Sequence, residues 1–158
     1  MNKEIQYIIS SLQRTLDGEP WYGRPVLTLL KEIDPALAFK KPGNNAHSMA
    51  DLLWHMNAWA EFVLKRLEGD QKADDQYMDQ IDWRPLDPAV HSWEEGLRRF
   101  QQLNQQIIAI LQGKDDDFLK EIVDFRQYNF RFLLNGYIQH NIYHIGQVAY
   151  CKKLLEGS

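Results

Sequence analysis

The chain is 158 residues long, a length suited to one domain (1–158) around one core, and its 44% hydrophobic and 25% charged residues predict that all of it folds. A formal charge of −4, with no long run of Lys or Arg, excludes the basic footprint that nucleic-acid binding needs. The single cysteine, Cys151, excludes an internal disulfide; with an N-terminal stretch, 1–16, that reads as neither a signal peptide nor a spanning segment, it points to a soluble cytoplasmic protein with no membrane partner.

Four stretches carry the helical period. The first runs through Ile5, Ile8, Ile9, Leu12 and Leu16 and ends at Asp17-Gly18-Glu19-Pro20. A segment from Pro25 to Ile33 predicts a minor helix, with Pro25 suited to a first helical position. The second long helix begins near Ser48, where Asp51 three residues on completes a capping box. Its stripe holds Leu52, Met56, Trp59, Val63 and Leu67, and Gly69 marks its end. Ser92 followed by Glu95 starts the third helix, which aligns Trp93, Leu97, Phe100, Ile107 and Leu111 and stops at Gly113. The fourth, Asn129 to Leu155, is the richest, carrying Phe130, Leu133, Leu134, Tyr137, Ile138, Ile142, Ile145, Val148 and Leu154.

Two connections are long. Asp70 to His91 is acidic and irregular, with Pro85 and Pro88, and is expected to pack over the bundle. A tight hairpin needs only a few residues, so this length predicts a crossover that leaves helices two and three parallel. The fold class is therefore all-α, a four-helix bundle in up-down-down-up order. Lys114 to Tyr128 is the other irregular piece, and no internal repeat is present.

The chemistry-bearing residues are histidines. His140 and His144 are four apart, about 6 Å of rise and about 40° of rotation on a helix, so both rings project from one face. Two nitrogens so placed can converge on one ion at about 2.0–2.1 Å, the usual Zn–N distance. His55, inside helix two, is the best third ligand, and three histidines would leave open positions, as in a catalytic site. The plainer reading makes the pair a polar patch and His55 a satisfied core histidine. His91 reads as a solvated loop residue, and His47, beside Ser48, as a supporting group. The spacing matches the zinc-peptidase pattern His-Glu-x-x-His, but Asn141 stands where the general-base glutamate would be, so this is not such a peptidase.

Gly136, Gln147 and Cys151 share the face of the pair. Gln147 is read either as positioning a ligand or water, or as an ordinary buried amide. Gly136 is expected to let another helix approach, and Cys151, about 10 Å along the axis from His144, to be a small core residue. Trp54, Trp59, Tyr137 and Tyr143 either line a pocket or belong to the core.

Two motifs resemble the DinB-like family. His47-Ser48-Met49-Ala50-Asp51-Leu52-Leu53-Trp54-His55-Met56, followed by Trp59, resembles its second helix; His140-Asn141-Ile142-Tyr143-His144-Ile145-Gly146-Gln147 resembles its hallmark. The resemblance implies an up-down-down-up bundle, often a homodimer, with a metal held at the positions of His55, His140 and His144; Gln147, Tyr143 and His47 are the candidate supporting residues around them. It also implies a choice of chemistries, since some relatives are thiol-dependent S-transferases or isomerases and others have been labelled metal-dependent hydrolases.

Three functions follow. In the first, one divalent ion (zinc, with nickel or iron as alternatives) holds a low-molecular-weight thiol as the reactive thiolate. In the second the ion activates water for hydrolysis, with Asp51 the nearest candidate base unless it only caps its helix. In the third the protein binds a metal or small ligand without catalysis. The first is preferred, because it needs no protein base.

Overall fold

The computed structural model describes residues 2–157; Met1 and Ser158, the ends of the expected domain, lie outside them. The described residues are all-helical, without a named strand: α1 (Lys3–Asp17), α2 (Val26–Lys31), α3 (Pro35–Ala38), α4 (Met49–Glu68), α5 (Asp75–Ile81), α6 (Trp93–Gln112), a 3-10 turn (Phe118–Lys120) and α7 (Phe130–Glu156). None of these helices is long and apolar enough to cross a membrane.

The long helices begin and end where the local chemistry requires. Ser48 and Asp51 form a reciprocal capping box at the start of α4 (Asp51 N to Ser48 Oγ 3.0 Å, Ser48 N to Asp51 Oδ2 2.9 Å). Asp51 thus has a capping role. Gly69 closes the helix in the left-handed region at φ 68°, a conformation open to glycine without steric penalty. Ser92 accepts from Glu95 N to start α6, and Asn129 accepts from Phe132 N to start α7. The first backbone amides of α1 lack such a cap; Ile5 N instead donates to Asp116 Oδ1 (2.8 Å), far along the chain.

Buried apolar side chains from α1, α2, α4, α6, the 3-10 turn and α7 form one continuous cluster. The helix α4 is buried on nearly every side, because α6, α7, α5 and α3 all pack on it. Gly96 allows a close approach of α6: a Cβ there would stand 3.0 Å from both Leu53 Cδ2 and Trp54 Nε1. Asn57 Nδ2 crosses the same contact to Gly96 O (2.9 Å). Ascending positions on α4 meet ascending positions near α6, as Trp54 reaches His91 O, Asn57 reaches Gly96 O and Glu61 pairs with Arg99. Along α7 the order runs the other way, with His55 beside His144 and Trp59 near His140.

Several local expectations are corrected. Pro25 stands one residue before α2, at the N-cap position and without a side-chain cap, and it is Pro35 that sits in a first turn, that of α3. The connection 70–91 is not wholly irregular, since Asp74 caps α5 within it by accepting from Tyr77 N. Leu154, assigned to the apolar stripe of α7, is exposed, and it is the adjacent Leu155 that packs against the core.

Candidate metal centre

In the N-terminal half of α4 the buried stripe includes one imidazole, His55, and α7 presents His140 and His144 toward it. His55 Nε2 lies 3.0 Å from Nε2 of His140 and 3.0 Å from Nε2 of His144. One nitrogen from each ring falls within 4.8 Å of the others, a buried cluster that could hold a metal ion.

The outer nitrogens decide what the inner ones offer. The His55 Nδ1–H donates to Asp82 Oδ1 at 2.5 Å, and the His144 Nδ1–H donates to Gln147 Oε1 at 2.6 Å. Each bond holds the proton on Nδ1 and leaves a lone pair on Nε2. Two lone pairs facing each other at 3.0 Å repel unless a cation or a proton stands between them. Nitrogens bound tetrahedrally at 2.0–2.1 Å from one ion would lie about 3.3 Å apart, a few tenths from the spacing here. The donor set therefore fits a divalent ion. Burial, reinforced by His144 and His55, pushes the His140 pKa down to about 3. Burial also lowers His144, against the opposing bond to Gln147. Both rings are neutral near pH 7, the form that ligates metal.

The crossover supplies a second tier of contacts. Asp82, just past α5, gives its other oxygen to Trp59 Nε1–H (3.2 Å). Trp83 stacks on His55 (centroids 3.8 Å, 14°) and on its other neighbour His47 (4.0 Å, 16°). Its backbone sits at φ 47°, a conformation that bulky residues rarely adopt and that is kept where surrounding contacts hold it.

A cavity of about 490 Å³ opens onto the cluster, walled by Trp59, Trp83, Asp82, Tyr143 and Gln147 besides the histidines. Sequence reasoning placed His55, His140 and His144 together, and the fold brings them together. Of the three supporting candidates, Gln147 bonds His144, Tyr143 stands exposed at the cavity with its ring 5.0 Å from that of His144, and His47 backs Trp83. His91 stays in its loop, its Nδ1 accepting from Asp87 N at 3.0 Å. Cys151 is buried, and burial raises its thiol pKa. Asn141 is wholly buried. Gly136 is corrected: nothing lies within 4 Å of where its Cβ would be, so no helix approaches it. The individual roles of Asp82 and Trp83 were missed, because nothing in an aperiodic loop marks the residue that will meet a helix 27 positions away.

Fold and site together define an all-helical protein with a three-histidine cluster shared between two helices. Residues 24–148 match the sequence profile of the DinB superfamily, and the chain belongs to that superfamily. No curated protein and no solved structure matches it.

Proposed function

We propose that this DinB-superfamily protein binds one divalent ion through His55, His140 and His144 and uses it to transfer a small thiol onto an electrophilic substrate. The observation that carries the reading is the pair of Nδ1–H bonds to Asp82 and Gln147, which turn two Nε2 lone pairs toward the same point. An ion bound there would act as a Lewis acid, lowering the thiol pKa so that thiolate forms at neutral pH. The neutral imidazoles leave the ion its full charge. The thiol proton passes to solvent, the sulfur forms a C–S bond, and the leaving group departs with the electron pair of the bond that breaks.

Transfer is favoured over hydrolysis by the engagement of the nearby carboxylates. Asp51 bonds Ser48, and Asp82 bonds His55 and Trp59. Both oxygens of Asp82 are thus engaged, and Asp51 is not a wall of the histidine cavity. Zinc is the ion proposed, with nickel and iron as alternatives.

The up-down-down-up order belongs to the same reading. It is supported by the ascending pairings of α4 with α6, the opposite run of α4 against α7, and the Glu4–Arg131 ion pair joining the starts of α1 and α7. A cytoplasmic homodimer completes it, with Tyr143 and Tyr150 exposed on α7 as the apolar surface a second copy would cover; sedimentation equilibrium reads that state directly.

The test is elemental analysis of untagged protein beside a variant with all three histidines changed to alanine. About one ion per wild-type chain and none in the variant is expected. The metallated protein should then accelerate coupling of a cellular thiol to an alkylating electrophile. No ion in either protein after incubation with zinc and nickel sinks the metal reading, and no rate above background sinks the transferase.

A further inference from the structure

A second cavity, of about 200 Å³, shares Trp59 and His140 with the histidine cavity and lies between α4 and α7. Its other walls include Val63, Phe132 and Leu133, which are apolar throughout. The polar atoms of its indole and phenol walls are already engaged, and the exception is His140 Nδ1, which is buried without a hydrogen-bond partner. Trp59 Nε1–H donates to Asp82 Oδ2, the Tyr137 hydroxyl donates to Asn104 Oδ1 (2.7 Å), and Tyr128 interacts with Arg126. Apart from that one nitrogen, a guest would meet ring faces and hydrocarbon, which do not compensate a polar group for lost water.

Gly136 is the remaining wall, and its place inside α7, in the second turn, calls for a reason. Glycine inside a helix costs roughly 0.5–1 kcal/mol relative to alanine. Here that cost is not offset by close helix packing, since a Cβ at 136 would enter open space. What the missing side chain preserves is cavity volume.

We infer that this cavity binds the apolar arm, an aryl ring or branched alkyl group, of the small molecule whose reacting carbon is handled at the three histidines. The role of the histidines rests on the function proposed above; the apolar preference of the cavity does not. The two cavities share Trp59 and His140, so one guest spanning them would place its apolar part beside the reacting end.

Toluene is the probe, detected by saturation-transfer NMR on wild-type protein, Gly136→Ala and Gly136→Leu. Wild type should bind it, Gly136→Ala more weakly, and Gly136→Leu, with its larger side chain in the cavity, at least tenfold more weakly than wild type while keeping its helical circular dichroism. A paramagnetic cobalt(II) ion loaded at the histidines should enhance relaxation of bound toluene in wild type. Absence of toluene binding to wild type, equal binding by Gly136→Leu, or bound toluene untouched by cobalt would each overturn the inference. Failure to load cobalt while toluene binding still responds to Gly136→Leu would count against the metal function and support the apolar cavity.

Discussion

Asp82 divides its carboxylate between His55 at 2.5 Å and Trp59 at 3.2 Å, so one side chain sets the tautomer of the His55 ring and fastens a cavity wall. Partners of this kind commonly change metal affinity by about 10–100-fold when removed. Asp82→Ala should weaken zinc binding by that factor, read by competition with a chromophoric chelator, with helical content unchanged. The depressed His140 pKa gives a second expectation. In metal-free protein the native ring stays neutral down to about 3, whereas the unfolded ring takes a proton near its ordinary 6.5. Protons therefore favour the unfolded chain between those values, and urea-unfolding stability should fall as pH drops from about 6.5. The shared face of His140 and His144 was legible because helical spacing is written in sequence, whereas His55 was placed beside them as the histidine inside helix two and by the family resemblance. Asp82 and Trp83 were not legible, because their role depends on where a loop lands.

Among the elements, α5 shows how a short helix is held without a long apolar stripe. The Tyr77 hydroxyl donates to Glu61 on α4, and Glu61 also pairs with Arg99 on α6. Burial first, then the bond and proximity to Glu61, push the tyrosine up to about 12. The unfolded tyrosine ionises near 10, so stability should decline as pH rises above that value, and Tyr77→Phe should reduce the decline. The contact of α4 with α6 is sharper in its demands. Gly96→Val would drive a branched side chain into Leu53 and Trp54, costing about 1–3 kcal/mol, measurable as a lower urea midpoint. The four long helices could be read from their stripes and caps, since each spans several turns. By contrast α3, α5 and the 3-10 turn are too short for a periodic signal, and their formation depends on caps and tertiary contacts.

Across the whole molecule, contacts between distant parts of the chain bind its beginning to its end. Ile5 N meets Asp116 and Glu4 pairs with Arg131, while His55 and His140, 85 positions apart, stand nitrogen to nitrogen. All-helical topology was legible because polar–apolar periodicity recurs over most of the chain; the partners of its loops required the assembled fold. The histidine geometry also bears on endurance under heat. An ion gripped by α4 and α7 would act as a removable cross-link, closing a long chain loop that the unfolded state would otherwise explore freely. Each tenfold rise in free ion above its dissociation constant should then add about 1.4 kcal/mol, so that the melting temperature climbs with the logarithm of ion concentration and falls back on chelation.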